Sequence, residues 1–178
     1  MTITIEPLNY QNKRETLQAA RAMHASFRKF YSNKKQIHLL IPLAERVKRI
    51  QHWEEMEKHG TGRTIVAKIN GRIVGCGFGS LRSQHSFYGS VKEKIGAGKH
   101  YFLELMAVHP RFQRRGIGKA LVDARIEHAR QLGCIDVWVS TASNNEVQLA
   151  NFKKMGFKEA HRDETKNKAA VYFVKKLS

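Results

Sequence analysis

Residues 101–108 read YFLELMAV, an apolar run carrying one charge. A run without alternation fits a strand covered on both faces, near the middle of a sheet. Shortly after it comes Gln113-Arg114-Arg115-Gly116-Ile117-Gly118, and from there the chain takes a helical period over residues 116–132. Ile117, Ala120, Leu121, Ala124, Ile126 and Leu132 fall mostly on one side, and Gly133 marks the stop. A buried strand that turns through Gly-x-Gly into a helix is an α/β device. The start of a helix presents unpaired N–H groups and a partial positive charge, which together suit a phosphate. Glycine lets the backbone come close to a ligand and adopt positive φ. Gln113, Arg114 and Arg115 add donors around the rim. The loop from about Arg114 to Lys119 is therefore expected to hold a pyrophosphate by its main-chain N–H groups.

The flanking sequence agrees with an α/β fold. Residues 2–6 alternate as a first strand. Asn12, with Glu15 three residues on, opens a helix whose apolar face carries Leu17, Ala20, Met23 or His24, Phe27 and Phe30. Pro42 suits the first turn of a second helix, striped by Leu43, Val47, Ile50 and Trp53. Residues 63–70 and 72–80 flank Asn70-Gly71, a strong hairpin signal. The glycines of Gly75-Cys76-Gly77-Phe78-Gly79 have no helix after them, so they mark a bulge or close approach rather than a nucleotide loop. Residues 81–100 form a long glycine-containing segment. Residues 135–141 are a strand, Ser143-Asn144-Asn145-Glu146 a capping box for a further helix, and 157–162 and 169–174 two last strands. The reading is one α/β domain over residues 1–178 with a mixed sheet.

Composition narrows the function. Lys and Arg number 32 against 15 Asp and Glu, a formal net charge of +17. Such a chain attracts polyanions: nucleic acid, an anionic membrane or a phosphorylated cofactor. The basic residues are spread along the chain; clusters such as Arg28-Lys29 with Lys34-Lys35 are too short for a polybasic tail. Cys76 and Cys134 stand in no metal or redox spacing, and the nine histidines include no HExxH. No metal is expected. A reducing, cytoplasmic setting is the simplest fit, with no signal peptide and no membrane-spanning segment.

The strand ending in Ala107-Val108, the motif Gln113-Arg-Arg-Gly116-Ile-Gly118, and the downstream NNEVQLANFKKMGF ending in Gly156-Phe157 together resemble the GNAT superfamily of acetyl-CoA-dependent N-acetyltransferases. The order of elements matches along nearly the whole chain. The resemblance implies a GNAT-like fold: a mixed, mostly antiparallel sheet of about seven strands, splayed at the cofactor site, with about four flanking helices. It implies acetyl-CoA as cosubstrate and direct attack by a primary amine of a small molecule or protein. Backbone groups of Met106, Ala107 and Val108 would meet the pantetheine arm. Gln113, Arg114, Arg115, Gly116, Ile117, Gly118 and Lys119 would cradle the pyrophosphate, and Asn145 would face the cofactor near its thioester. Homodimers occur in the family.

The catalytic groups follow in part. An alkyl ammonium has a pKa near 10.4, so a base or a wet proton path assists at neutral pH. Glu104, the one charge in YFLELMAV, is the candidate general base; the competing reading is a structural carboxylate paired with an Arg or Lys of the substrate-side loops. The family's usual tyrosine acid corresponds to Phe152, which would pack against the pantetheine arm or the helix. A thiol of pKa about 8.5 leaves well enough for water to protonate it. Tyr88, Tyr101 and Ser143 are weaker substitutes. Two rivals stand beside the enzyme: a non-catalytic acyl-CoA-binding module, motivated by Phe152, and a basic RNA- or ribosome-associated protein, motivated by charge. No RNA-binding motif with interleaved aromatics supports the second, so nucleic acid is not favoured. The acceptor, set in this family by segments equivalent to 11–59 and 81–100, has no readable signature.

Overall fold

The computed structural model describes residues 2–33, 37, 40–83, 89–164 and 169–177. In chain order the elements are β1 (Ile3–Pro7), α1 (Lys13–Asn33), α2 (Leu43–Lys58), β2 (Gly62–Ile69), β3 (Arg72–Arg82), β4 (His100–Val108), α3 (Ile117–Gln131), β5 (Asp136–Ala142), α4 (Glu146–Lys154), β6 (Lys158–Asp163) and β7 (Ala170–Lys176). Short 3-10 turns lie at Gly89–Lys94 and Pro110–Phe112. The seven-stranded sheet has the order β1-β2-β3-β4-β5-β7-β6. β4 and β5 pair in parallel, whereas β1–β2, β5–β7 and β6–β7 are antiparallel. The expected mixed α/β architecture is the one observed.

Local chemistry sets the boundaries. Asn12 Oδ1 accepts from Arg14 N at 3.1 Å and Glu15 N at 3.4 Å, while Asn12 Nδ2 donates to Glu15 Oε1, so the first helix opens on its predicted box. Asn70 and Gly71 both take positive φ, 50° and 71°, as the two-residue hairpin turn between β2 and β3 demands. The last helix departs from expectation. Asn145, not Ser143, is the cap of α4, accepting from Gln148 N, and the helix starts at Glu146.

The chain forms two compact units, Met1–Gly79 with Leu105–Arg125, and Ser80–Glu104 with Ile126–Ser178. β3, β4 and α3 run through both. In the first unit the period of two along β2 separates two core clusters. Val66 joins Met23, Ile50, Trp53 and Phe78 beneath α1 and α2, with Trp53 stacked on Phe78 at 4.7 Å. Ile65, Ala67 and Ile69 join Val108, Ile117 and Leu121 on the α3 side. The sheet of this unit is thus covered on both faces, as a run like 101–108 suggests. Burial along β4 is nonetheless uneven, because Glu104, Leu105 and Met106 are only partly buried.

In the second unit Phe152 packs against Phe157 and Phe173, at ring distances of 5.7 and 5.8 Å. Asp136, 1% exposed, accepts from His100 Nδ1 at 2.7 Å, Trp138 Nε1 at 2.8 Å and Lys176 Nζ at 2.8 Å. That carboxylate ties β4, β5 and β7 together at one end. Within this unit the β4–β5 register runs from His100↔Asp136 to Leu103↔Val139.

Candidate active site

The segment after β4 is held before it reaches the helix. His109 N donates to Val74 O at 2.8 Å, fastening the exit of β4 to β3. His109 Nδ1 accepts from Arg111 N at 3.3 Å. Burial and the positive charges of Arg111 and Arg72 lower the pKa of this imidazole. Gln113 Nε2 donates to Val108 O at 3.0 Å, and Gln113 Oε1 accepts from Lys29 Nζ at 3.4 Å. The Gln113 side chain thereby clamps the loop to the end of β4 and to α1. Arg115 lies over the Phe112 ring at 5.7 Å.

The turn into α3 is left-handed at two residues, Arg114 (φ 65°) and Gly116 (φ 77°). For Arg114 that conformation costs roughly 1–2 kcal/mol, a strain that the fixed residues on either side maintain. Ala120 N donates to Gly116 O at 3.0 Å, so the N–H groups of Ile117, Gly118 and Lys119 precede the first intrahelical bond. The first turn of α3 holds no acidic residue. Arg114 and Arg115 are exposed beside it. Amides and arginines thus converge on a region suited to an anion. The Lys119 ammonium pairs with Asp123 Oδ2 at 2.5 Å, leaving its backbone N–H as its contribution.

The two glycines do different things. A Cβ on Gly116 would meet nothing within 4 Å, so glycine there answers the positive φ. A Cβ on Gly118 would touch Met106 Cε at 3.5 Å, an ordinary contact, and no positive φ is required. Ala107, Val108 and Ile117 are buried in the core, at 2%, 8% and 1% exposure, so they can offer a ligand only their backbone.

Glu104 is partly buried, and its Oε1 is crowded. It accepts from Ser80 Oγ at 2.8 Å and Arg82 Nε at 3.0 Å, and also pairs with Arg82 Nη2. All three contacts fall on one oxygen; Oε2 carries none of them. The paired carboxylate weighed in the sequence is present, with its arginine supplied by β3.

The other named residues divide. Asn145 Oδ1 is used by the helix cap. Phe152 is 5% exposed and a member of the aromatic cluster of its unit, which makes it a core residue. Tyr101 is fully buried against His128, unsuited to protonating a leaving group. Ser143 N donates to Ala169 O. Tyr88 lies outside the described residues. Among the described residues no cluster of His, Cys, Asp or Glu is placed to hold a metal, and no helix is long and apolar enough to cross a membrane.

Sequence reasoning missed Arg125, which is 1% exposed in α3. Its Nε donates to Leu121 O at 3.0 Å and its Nη1 to Phe78 O at 3.0 Å and Leu105 O at 3.2 Å. The guanidinium thereby bridges β3 and β4. It also explains a motif: a Cβ on Gly77 would lie 2.7 Å from Arg125 Cζ. Close approach, one of the two readings of that glycine run, is the reason for Gly77.

The sequence profile described as the acetyltransferase (GNAT) family matches residues 20–157. The [ribosomal protein bS18]-alanine N-acetyltransferase of Salmonella typhimurium strain LT2 is 34% identical over 55 residues, which is 31% of this chain and 37% of that protein. The chain thus aligns with little more than a third of this curated relative. The PaiA N-acetyltransferase from Thermoplasma acidophilum, solved with coenzyme A, superposes with a TM-score of 0.75 over 99% of this chain and 100% of that one, at 14% identity. The ribosomal-protein-S18-alanine N-acetyltransferase from Escherichia coli gives 0.63 over 99% and 95%, at 16% identity. At these identities the structural likeness is one of fold.

Proposed function

The chain belongs to the acetyltransferase (GNAT) family, and on that premise we propose that it transfers an acetyl group from acetyl-CoA to a primary amine by direct attack. The observation that carries this reading is the entry to α3: amides of Ile117, Gly118 and Lys119 ahead of the first helical bond, no acidic residue in the first turn, and two exposed arginines alongside. That arrangement suits the pyrophosphate of acetyl-CoA. Backbone groups of Met106, Ala107 and Val108 would hold the pantetheine arm, as a strand would, and Asn145 would lie toward the thioester. Acetyl-CoA supplies an activated acyl group. The amine nitrogen forms a bond to the carbonyl carbon, the carbon–sulfur bond breaks, and the thiolate leaves.

Glu104 is suited to receive the amine's proton at Oε2, directly or through water, while Ser80 and Arg82 fix Oε1. With Phe152 in the core, water is the natural donor to the departing thiolate, whose parent thiol has a pKa of about 8.5. The acceptor is an amine of a small molecule or a protein. The partly matched relative named for an alanine of a ribosomal protein supports including peptide amines in the assay. Both cysteines are free and buried, in keeping with a reducing cytoplasmic setting.

Calorimetry with acetyl-CoA on the wild type and on a Gly116→Glu, Gly118→Glu double variant tests the cofactor reading. Micromolar binding lost in the variant is expected; no binding by the wild type overturns it. Glu104→Gln should then lower kcat without changing acetyl-CoA affinity, whereas full activity removes Glu104 from the chemistry. The position of Phe152 favours one second reading, a module that binds acyl-CoA without turnover. It is distinguished by cofactor binding with no product from any amine.

A further inference from the structure

Helix α1 carries two stripes. Ala19, Ala20 and Met23 go into the core. The neighbouring stripe is Arg21, His24, Ala25, Arg28, Lys29 and Ser32, spaced i, i+3, i+4, i+7, i+8, i+11, the period of one continuous helix face. This second stripe lines an open cavity of about 430 Å³, bordered also by Leu43 and Pro110 and broadly exposed to solvent. No acidic residue lines it.

Some basic side chains elsewhere on the surface are paired with carboxylates: Lys48 with Glu45, Lys119 with Asp123, Arg130 with Glu127, Arg162 with Glu159. Among the described residues Arg21, Arg28 and Lys29 have no such partner, and His24 Nδ1 has no hydrogen bond. Gathering three such cations around a concave surface focuses positive potential there. The cavity also adjoins the proposed cofactor loop, because Lys29 reaches Gln113 and Pro110 belongs to the segment leading into it.

We propose that this cavity receives the anionic group, carboxylate or phosphate, of the acceptor, so that the enzyme acetylates amines carried on acidic molecules. The proposal rests on the acetyltransferase reading and names its substrate class. Arg21, Arg28 and Lys29 attract and orient the anion, Ser32 offers a hydroxyl, and the amine is left to point away toward the thioester. A polycationic acceptor is disfavoured by the same charges. The alternative source of a matching anion is the cofactor itself, through its phosphates.

The test uses three tripeptides with free amino termini and amidated carboxyl termini, Ala-Glu-Glu, Ala-Gln-Gln and Ala-Lys-Lys, so that only the side chains differ in charge, at saturating acetyl-CoA, on the wild type and on Arg21→Gln, Arg28→Gln. Both arginines are exposed, so the double variant should keep the fold. The wild type should prefer Ala-Glu-Glu over Ala-Gln-Gln by roughly tenfold in kcat/KM, expressed in KM, as two solvent-screened charge pairs allow. The variant should lose that preference while its rate on Ala-Gln-Gln and its acetyl-CoA affinity stay unchanged. A wild type without acid preference, or a variant that keeps it, overturns the proposal. So does a variant that loses acetyl-CoA affinity with its acceptor preference intact, because the cavity then serves the cofactor's phosphates. If the wild type binds acetyl-CoA but acetylates none of the three, calorimetric titration of each tripeptide into CoA-saturated protein decides: acid-selective binding lost in the variant upholds the cavity, and unselective binding overturns it. Failure to bind acetyl-CoA at all removes the underlying acetyltransferase reading, and this inference with it.

Discussion

Replacing each glycine of the Gly116-Ile117-Gly118 turn by alanine should have unequal effects. At Gly116 the backbone sits at φ +77° and a Cβ would touch nothing. Its alanine variant therefore meets a conformational cost alone. The left-handed region costs a non-glycine residue roughly 1–2 kcal/mol. Alanine recovers about 0.4–1 kcal/mol by restricting the unfolded chain. The net loss is about 1 kcal/mol, which in a chain of this size lowers Tm by roughly 2–4 °C. At Gly118 the backbone is helical and the nearest atom, Met106 Cε, lies at a comfortable 3.5 Å. Alanine there should leave stability unchanged or raise it, by up to about 1 kcal/mol of helix propensity. Its methyl group would pack against Met106 and leave the amides of the first turn clear. Urea denaturation and acetyl-CoA calorimetry on both variants read stability and binding independently. Gly118→Ala should be as stable as the wild type or more so and bind the cofactor with little change, whereas Gly116→Ala, which strains the turn that presents the amides, should lose both stability and affinity. If Gly118→Ala proves less stable than Gly116→Ala, or weakens acetyl-CoA binding more than Gly116→Ala does, the division of labour between the two glycines is wrong.

Further outcomes follow from the same geometry. Gly77→Ala forces a methyl into the Arg125 guanidinium, which three carbonyls hold in place; strain plus a weakened charge-assisted bond should cost about 3 kcal/mol in urea unfolding. A loss below 1 kcal/mol would mean that Arg125 moves freely. Cys76 is fully buried and its thiol is pushed up to about 12, so iodoacetamide at pH 8 should leave it unlabelled in the native state and label it in urea; rapid native labelling contradicts the buried placement. For His109 the folded pKa is depressed below the unfolded value near 6.5. Its contribution to stability is present above that value and is lost as pH falls through the folded pKa. Stability should drop on acidification below about pH 6.5, and His109→Gln should flatten that slope; an unchanged slope places the titration elsewhere.

What could be read in advance was what local chemistry controls. Asn70-Gly71, the Asn12 cap and the period of α3 each act through neighbours in sequence, and each is where it was expected. The capping signal before α4 was ambiguous because Ser143, Asn144 and Asn145 can all accept from helical amides, and tertiary context selected the last. Arg125 and Arg46 were invisible for another reason. Burying a guanidinium is unfavourable unless acceptors or an aromatic face await it. Those partners, the Phe78 and Leu105 carbonyls for one and the Phe27 ring at 4.5 Å for the other, are distant in sequence. The basic stripe of α1 was hidden in a charge count that could not say which cations lack carboxylates. At Glu104 the sequence supplied both the base and the ion pair, and only the position of Arg82 shows that the pair forms.

The strand order β5-β7-β6 has a consequence for how the chain can be made. β7, which follows β5 and β6 in chain order, is not added at the rim but slots between them, covering β5 along seven residue pairs from Asp136↔Lys176 to Ala142↔Ala170. Until residue 176 has emerged, β5 on that side and β6 both present open edges, and Asp136 waits for the lysine that completes its bonds. This half therefore cannot close before β7 is available and is exposed to chaperones and to misassembly in the interval, and a truncation that deletes residues 170–176 would remove an interior strand and not an edge.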